Sequence, residues 1–120
     1  MAKELGGDRH RKNIVIGDRR TSVSLEEQVW GGLIDICRRE ELSIDDLCTR
    51  VNAVRIDSSM SSSLRVFLLT YYRLVAQSAE ARSEGNAAPG LAQPPQAVFG
   101  RAFDIALAQF AEDQRRQAVT

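Results

Sequence analysis

Arg19-Arg20-Thr21-Ser22-Val23-Ser24-Leu25 is the stretch on which the reading of the fold turns. Successive strand side chains point to opposite faces, so Thr21, Val23 and Leu25 share one side while Arg20, Ser22 and Ser24 share the other. A single short strand needs a cover for its apolar face and partners for its backbone N–H and C=O groups. Everything after it has helical spacing, which favours pairing with the same strand of a second chain, an antiparallel ribbon made by a homodimer. A second pairing is open to the same residues. Asn13-Ile14-Val15-Ile16 is a brief β-branched run and Gly17-Asp18 a turn signal, so an intramolecular hairpin is the alternative. An antiparallel ribbon with Arg and Ser on its outer face is one of the few non-helical shapes that fits the DNA major groove.

The charge distribution agrees with that use. The formal net charge is zero, yet residues 1–22 hold Lys3, Arg9, Arg11, Lys12, Arg19 and Arg20 against three acids, and the remainder is acidic by the same margin. A basic front beside an acidic body favours phosphate contact at one edge, with Arg19 beside the ribbon. Residues 1–12 have almost no apolar content and read as a disordered basic arm.

From about Glu26 the period becomes helical. Val29, Trp30, Leu33, Ile34 and Cys37 form one stripe, with Ser24 as the expected N-cap and Glu27 completing a capping box. Gly31 and Gly32 interrupt it, each costing roughly 1 kcal/mol against alanine, and either admit a close neighbour or are tolerated. Ser43 is the expected N-cap of a second helix, with Asp46 three residues on and Ile44, Leu47, Cys48, Val51 and Val54 as its stripe. That helix ends near residues 55–57. A third begins at Ser61–Ser63 and runs to about Ser78; it is apolar on more than one side, which places it at a subunit interface or domain centre. Residues 13–78 thus form one domain. Residues 79–96, with Pro89, Pro94 and Pro95, read as a linker. Residues 97–117 form an amphipathic C-terminal helix on Phe99, Phe103, Ala106, Leu107 and Phe110, expected to dock on its own domain or a dimer mate rather than on a membrane.

The order of a basic alternating strand, a helix, a break at Leu42-Ser43 and a capped second helix resembles the ribbon-helix-helix proteins of the Arc/MetJ class. Arg-Thr-Ser-Val-Ser-Leu-Glu at 20–26 followed by Trp30, and Ser-Ser-Ser-Leu-Arg-Val-Phe-Leu-Leu-Thr-Tyr-Tyr-Arg at 61–73, are similar to a small bacterial branch with an added third helix. The resemblance covers about residues 14–75. It implies a mostly α fold with one N-terminal strand paired across a homodimer, or a higher oligomer built from it, and double-stranded DNA as the partner of a transcriptional regulator. By the same resemblance Arg20, Ser22 and Ser24 face base edges, Arg20 foremost, while the helix start at Ser43 and Ile44 anchors a DNA phosphate. Glu41-Leu42 stands where the family commonly has glycine, and Asp45 and Asp46 bring negative charge to the anchor.

Other chemistry has little support. The chain lacks a Gly-x-Ser-x-Gly elbow, a phosphate-cradling glycine loop and a metal-ligand cluster, so no catalysis, cofactor or metal is expected. Cys37 and Cys48 fall on apolar helix faces as core thiols. With neither a membrane span nor a signal-peptide core, the expected location is the cytoplasm. Two other functions on the same dimeric fold are a protein-interaction module and a sensor in which Ser61, Ser62 and Arg65, at a helix start, hold a small-molecule effector.

Overall fold

A computed structural model describes residues 9–85 and 95–119, with side chains for 9–80 and 102–118. The expectations for an arm at 1–8 and a linker at 86–94 lie outside the described residues. The element order is β1 (Arg9–Ile16), β2 (Arg19–Glu26), α1 (Glu27–Glu40), α2 (Ile44–Val54), α3 (Met60–Gly85) and α4 (Pro95–Val119).

The strand at Arg19 is paired within its own chain. β1 and β2 form an antiparallel two-stranded sheet from Arg9↔Glu26 to Ile16↔Arg19. Of the two pairings open to the sequence this is the intramolecular hairpin, so the strand at Arg19 is not alone in its chain, and Arg9–Lys12 pass from the expected arm into a strand. The reason is local and tertiary together. Gly17 takes φ 66°, the left-handed region open to glycine, and leads a two-residue turn. The polar half of β1 is then held from behind: Trp30 Nε1 donates to the His10 carbonyl at 2.8 Å, and the Lys12 ammonium lies 5.6 Å from the Trp30 ring centre.

The hairpin lays one face on the core. Ile14, Val23 and Leu25 are buried there with Trp30, Leu33 and Ile36 of α1 and Leu47, Cys48 and Val51 of α2. Burial pushes the Cys37 thiol up to about 11 and the Cys48 thiol up to about 12, as for inert core cysteines. α1 begins one residue after Glu26, whose side chain makes no cap bond, so the capping box expected from Ser24 does not form. Ser24 remains in β2, where pairing with Arg11 keeps it extended. α1 ends at Glu41, left-handed at φ 58°, with Leu42 N–H returning to the Cys37 carbonyl at 3.0 Å. That is the conformation glycine adopts without steric cost. Ser43 caps α2 as expected, its Oγ accepting from Asp46 N–H at 3.0 Å.

α3 starts on a cap from Ser59, whose Oγ accepts Ser62 N–H at 3.1 Å. It crosses α1 at Gly32, where an added Cβ would stand 2.7 Å from Leu68 Cδ1; at Gly31 it would meet open space. Gly32 therefore admits a close neighbour and Gly31 is tolerated. Nearby, Tyr71 Oη donates to Glu40 Oε2 at 2.7 Å, and burial raises both groups above their ordinary pKa values. α3 runs on to Gly85 and α4 begins at Pro95, so residues 79–85 and 95–96 of the expected linker are helical. α4 docks on its own domain. Phe103 and Phe110 meet Phe67 edge-on at 5.4 and 6.3 Å between ring centres, and buried Gln114 accepts Ile56 N–H at 2.8 Å. Much of the broad apolar surface of α3 is therefore covered by α4.

Candidate nucleic-acid interface

The outer face of the hairpin is set by the register. Arg9, Arg11, Asn13 and Val15 of β1 lie opposite Glu26, Ser24, Ser22 and Arg20 of β2, and directly opposed residues share a face. Ile14, Val23 and Leu25 occupy the other face, so the alternation read from residues 19–25 holds in space. Arg20 and Ser22 are exposed and Ser24 half-buried, side by side along one strand. Arg11 and Asn13 extend the same surface, and Ser22 Oγ donates to Asn13 Oδ1 at 3.1 Å. Together the two strands and their turn carry five Lys and Arg against Asp18 and Glu26.

Asn13 and Arg11 are additions to the residues legible beforehand. Arg9-His10-Arg11-Lys12-Asn13 does alternate, but with polar residues on both faces, so the period-two signal carried no apolar contrast. Asn13 has the amide geometry that pairs with adenine, and arginine the fork that pairs with guanine.

The hairpin edges are covered in a diagonal pattern. Val15 N–H donates to Asp45 Oδ1 at 2.9 Å, Thr49 Oγ1 donates to the Val15 carbonyl at 3.4 Å, and Gly17 N–H donates to Thr49 Oγ1 at 3.1 Å. Thus α2 closes the turn end of β1. Asp45 ties the start of α2 to the hairpin, while Asp46 faces Arg50 at 3.4 Å. Ser43 is exposed at that helix start with its hydroxyl engaged as the cap, and Ile44 is half-buried against the core. The anchor residues and the hairpin are therefore joined through the Asp45–Val15 bond.

At the opposite corner, α3 closes the Glu26 end of β2. Ser61 Oγ donates to the Ser24 carbonyl at 3.2 Å, and Arg65 donates to Glu26 through Nε at 3.0 Å and Nη2 at 3.2 Å. Arg65 holds the Glu26 carboxyl below the usual carboxylate range, chiefly through that hydrogen bonding. Ser61 and Arg65, read beforehand as part of an effector site, thus face β2, and Ser62 uses its N–H in the Ser59 cap. The backbone edge at Arg20 and Ser22 lies between these two closures. Val15 points its N–H and C=O away from β2, so its opposite residue Arg20, and Ser22 two further on, point theirs away from β1.

The family model described as a ribbon-helix-helix domain matches residues 9–72, from the first residue of β1 into the middle of α3. The chain belongs to the ribbon-helix-helix family. Its matched segment takes in the hairpin, both following helices and the start of α3, and leaves α4 outside. As a class, ribbon-helix-helix domains serve DNA-binding regulators and are typically regulatory rather than enzymatic. No curated protein matches the chain, and no solved structure does. Among the described residues there is no group of three or more His, Cys, Asp or Glu that could hold a metal, and no helix long and apolar enough to cross a membrane.

Proposed function

We propose that the chain is a DNA-binding transcriptional regulator that presents the outer face of its hairpin to the major groove. One observation carries the reading: a two-stranded antiparallel ribbon inside a ribbon-helix-helix domain displays Arg20, Ser22, Asn13 and Arg11 outward in register. Arg20 is the principal base reader, through bidentate contact to guanine, with Ser22 and Ser24 as weaker readers beside it. Arg19 and the start of α2 at Ser43 and Ile44 contact phosphates and set the register of the ribbon on the duplex.

The regulator acts as a homodimer. Support comes from the backbone edge at Arg20 and Ser22 and from apolar side chains left on the surface: Leu69 is 62% exposed, with Val66 one turn before it on α3 and Ile105 on α4 also exposed. Two copies present two ribbons, and the operator then contains two related half-sites.

Selection of bound fragments from genomic DNA by the full-length protein tests this reading. A recovered set sharing a two-fold related motif is the expected result. Recovery of unrelated fragments at every salt concentration would reject sequence-specific regulation. Light scattering at micromolar concentration should give the mass of two chains; a folded monomer would remove the homodimer.

A further inference from the structure

Between the start of β2 and the end of α2 lies a cleft of about 270 Å³ that joins Arg19 and Arg20 of the ribbon to Asn52 and Arg55, which the ribbon reading does not use. Its lining comprises Arg19, Arg20 and Thr21 of β2, Asn52 and Arg55 at the end of α2, and Ile16 and Met60. Three arginines in the lining of one small concavity concentrate positive charge there for an anion to neutralise. Among the described residues none of the three has a carboxylate within ion-pair distance, whereas the arginines at 38, 50, 65, 115 and 116 each do.

Arg55 is the fixed member of the set. Its Nε donates to Asn52 Oδ1 at 2.8 Å and its Nη1 to the Ser58 carbonyl at 2.7 Å. Those two bonds hold the planar fork in place at the α2–α3 turn and leave Nη2 without a protein acceptor among the described residues. Arg19 and Arg20 are exposed residues of the same lining, and their long side chains are free to turn towards an anion held by Arg55. One fixed donor with two adaptable ones beside it suits a tetrahedral oxyanion, which accepts several hydrogen bonds at once. At about 270 Å³ the cleft has room for an anionic group.

We propose that this cleft binds a phosphate group, with Arg55 as the fixed donor and Arg19 and Arg20 as the closing ones. The phosphate comes either from the DNA backbone or from a free phosphorylated molecule; the recognising chemistry is the same. In the first case the contact lies at the end of α2, separate from its start at Ser43, and Arg20 is shared between base reading and this site.

The test is a titration of the full-length protein with inorganic phosphate at constant ionic strength, followed through backbone amide resonances, alongside duplex binding under matched salt. Saturable shifts confined to Thr21, Asn52 and Arg55 are expected, and Arg55→Gln should weaken phosphate binding by about tenfold or more. Arg19→Gln probes the same cleft without touching the α2–α3 turn, so a fold defect in Arg55→Gln does not decide the matter. If duplex displaces phosphate and both variants lower duplex affinity, the source is the DNA backbone. If phosphate binds, both variants lose it, and duplex neither competes nor depends on them, the source is a free phosphorylated molecule. Phosphate binding with no duplex binding at all would sink the DNA reading and leave the cleft standing. Duplex binding that depends on Arg19 and Arg20 but not on Arg55, with no saturable phosphate shifts, would overturn the cleft and leave the DNA reading intact.

Discussion

At the Glu26 end of β2, Arg65 lies bidentate on a carboxylate and Ser61 closes the strand edge; at the Arg19–Arg20 end, two exposed guanidiniums stand without a carboxylate partner among the described residues. The same strand thus uses its charge in two ways. A guanidinium neutralised by a neighbour binds the fold to itself, here α3 to β2. One left unneutralised beside an outward polar face is available to an external anion, and it adds little to stability. One strand of eight residues thus carries a structural end and an end suited to recognition.

That contrast is most sharply tested by comparing Leu25→Ala with Arg20→Ala in urea unfolding. Leu25 is fully buried at the structural end, so its truncation should cost about 2–5 kcal/mol. Arg20 is exposed, and its truncation should stay within about 0.5 kcal/mol. A comparable loss at both positions would erase the distinction between the two ends.

A smaller effect is expected behind the structural end, where α1 and α3 cross. Gly31→Ala places its methyl in open space and should gain about 0.5–1 kcal/mol from helix propensity alone. Gly32→Ala would press on Leu68, so that gain should vanish or reverse unless the leucine tip moves aside. Equal gains in thermal unfolding would show that α1 and α3 do not depend on close approach there.

The smallest effect concerns pH. Because Arg65 lowers the folded-state pKa of Glu26, the pair contributes stability above the ordinary carboxylate pKa and loses it as pH falls through the lowered value. Urea midpoints between pH 7 and about pH 3 should therefore fall less in Arg65→Ala than in the wild type. Parallel pH curves would mean that the ion pair is too well solvated to matter.

How much of this was legible in the sequence depended on the range of the interactions. α1, α2 and the division of β2 into two faces follow from spacing, and the Ser43 cap from its neighbour three residues on, all local signals. The first half of β1 was not legible, because Arg9–Lys12 become a strand only once Trp30 binds the His10 carbonyl and underlies Lys12. The intramolecular pairing was visible as one of two solutions, and a turn glycine with positive φ resolved it. Aspartates that looked like unwelcome charge at the start of α2 have partners distant or one turn away: Val15 N–H for Asp45 and Arg50 for Asp46. Ser61 and Arg65 at the start of α3 likewise have distant partners, since nothing within residues 58–65 reveals that Ser24 and Glu26 of β2 lie against them. The cleft residue Arg55, beyond the end of a helix, carried no periodic or motif signal at all.

Whether the Arg19–Arg20 end of the ribbon reads sequence is decided by competition between a genomically selected duplex and a random duplex of equal length, in wild type and Arg20→Ala at fixed salt. Arg20→Ala should lose roughly ten- to hundredfold in preference for the selected duplex while random binding changes little. Equal weakening on both duplexes would contradict it, reducing Arg20 to a phosphate contact.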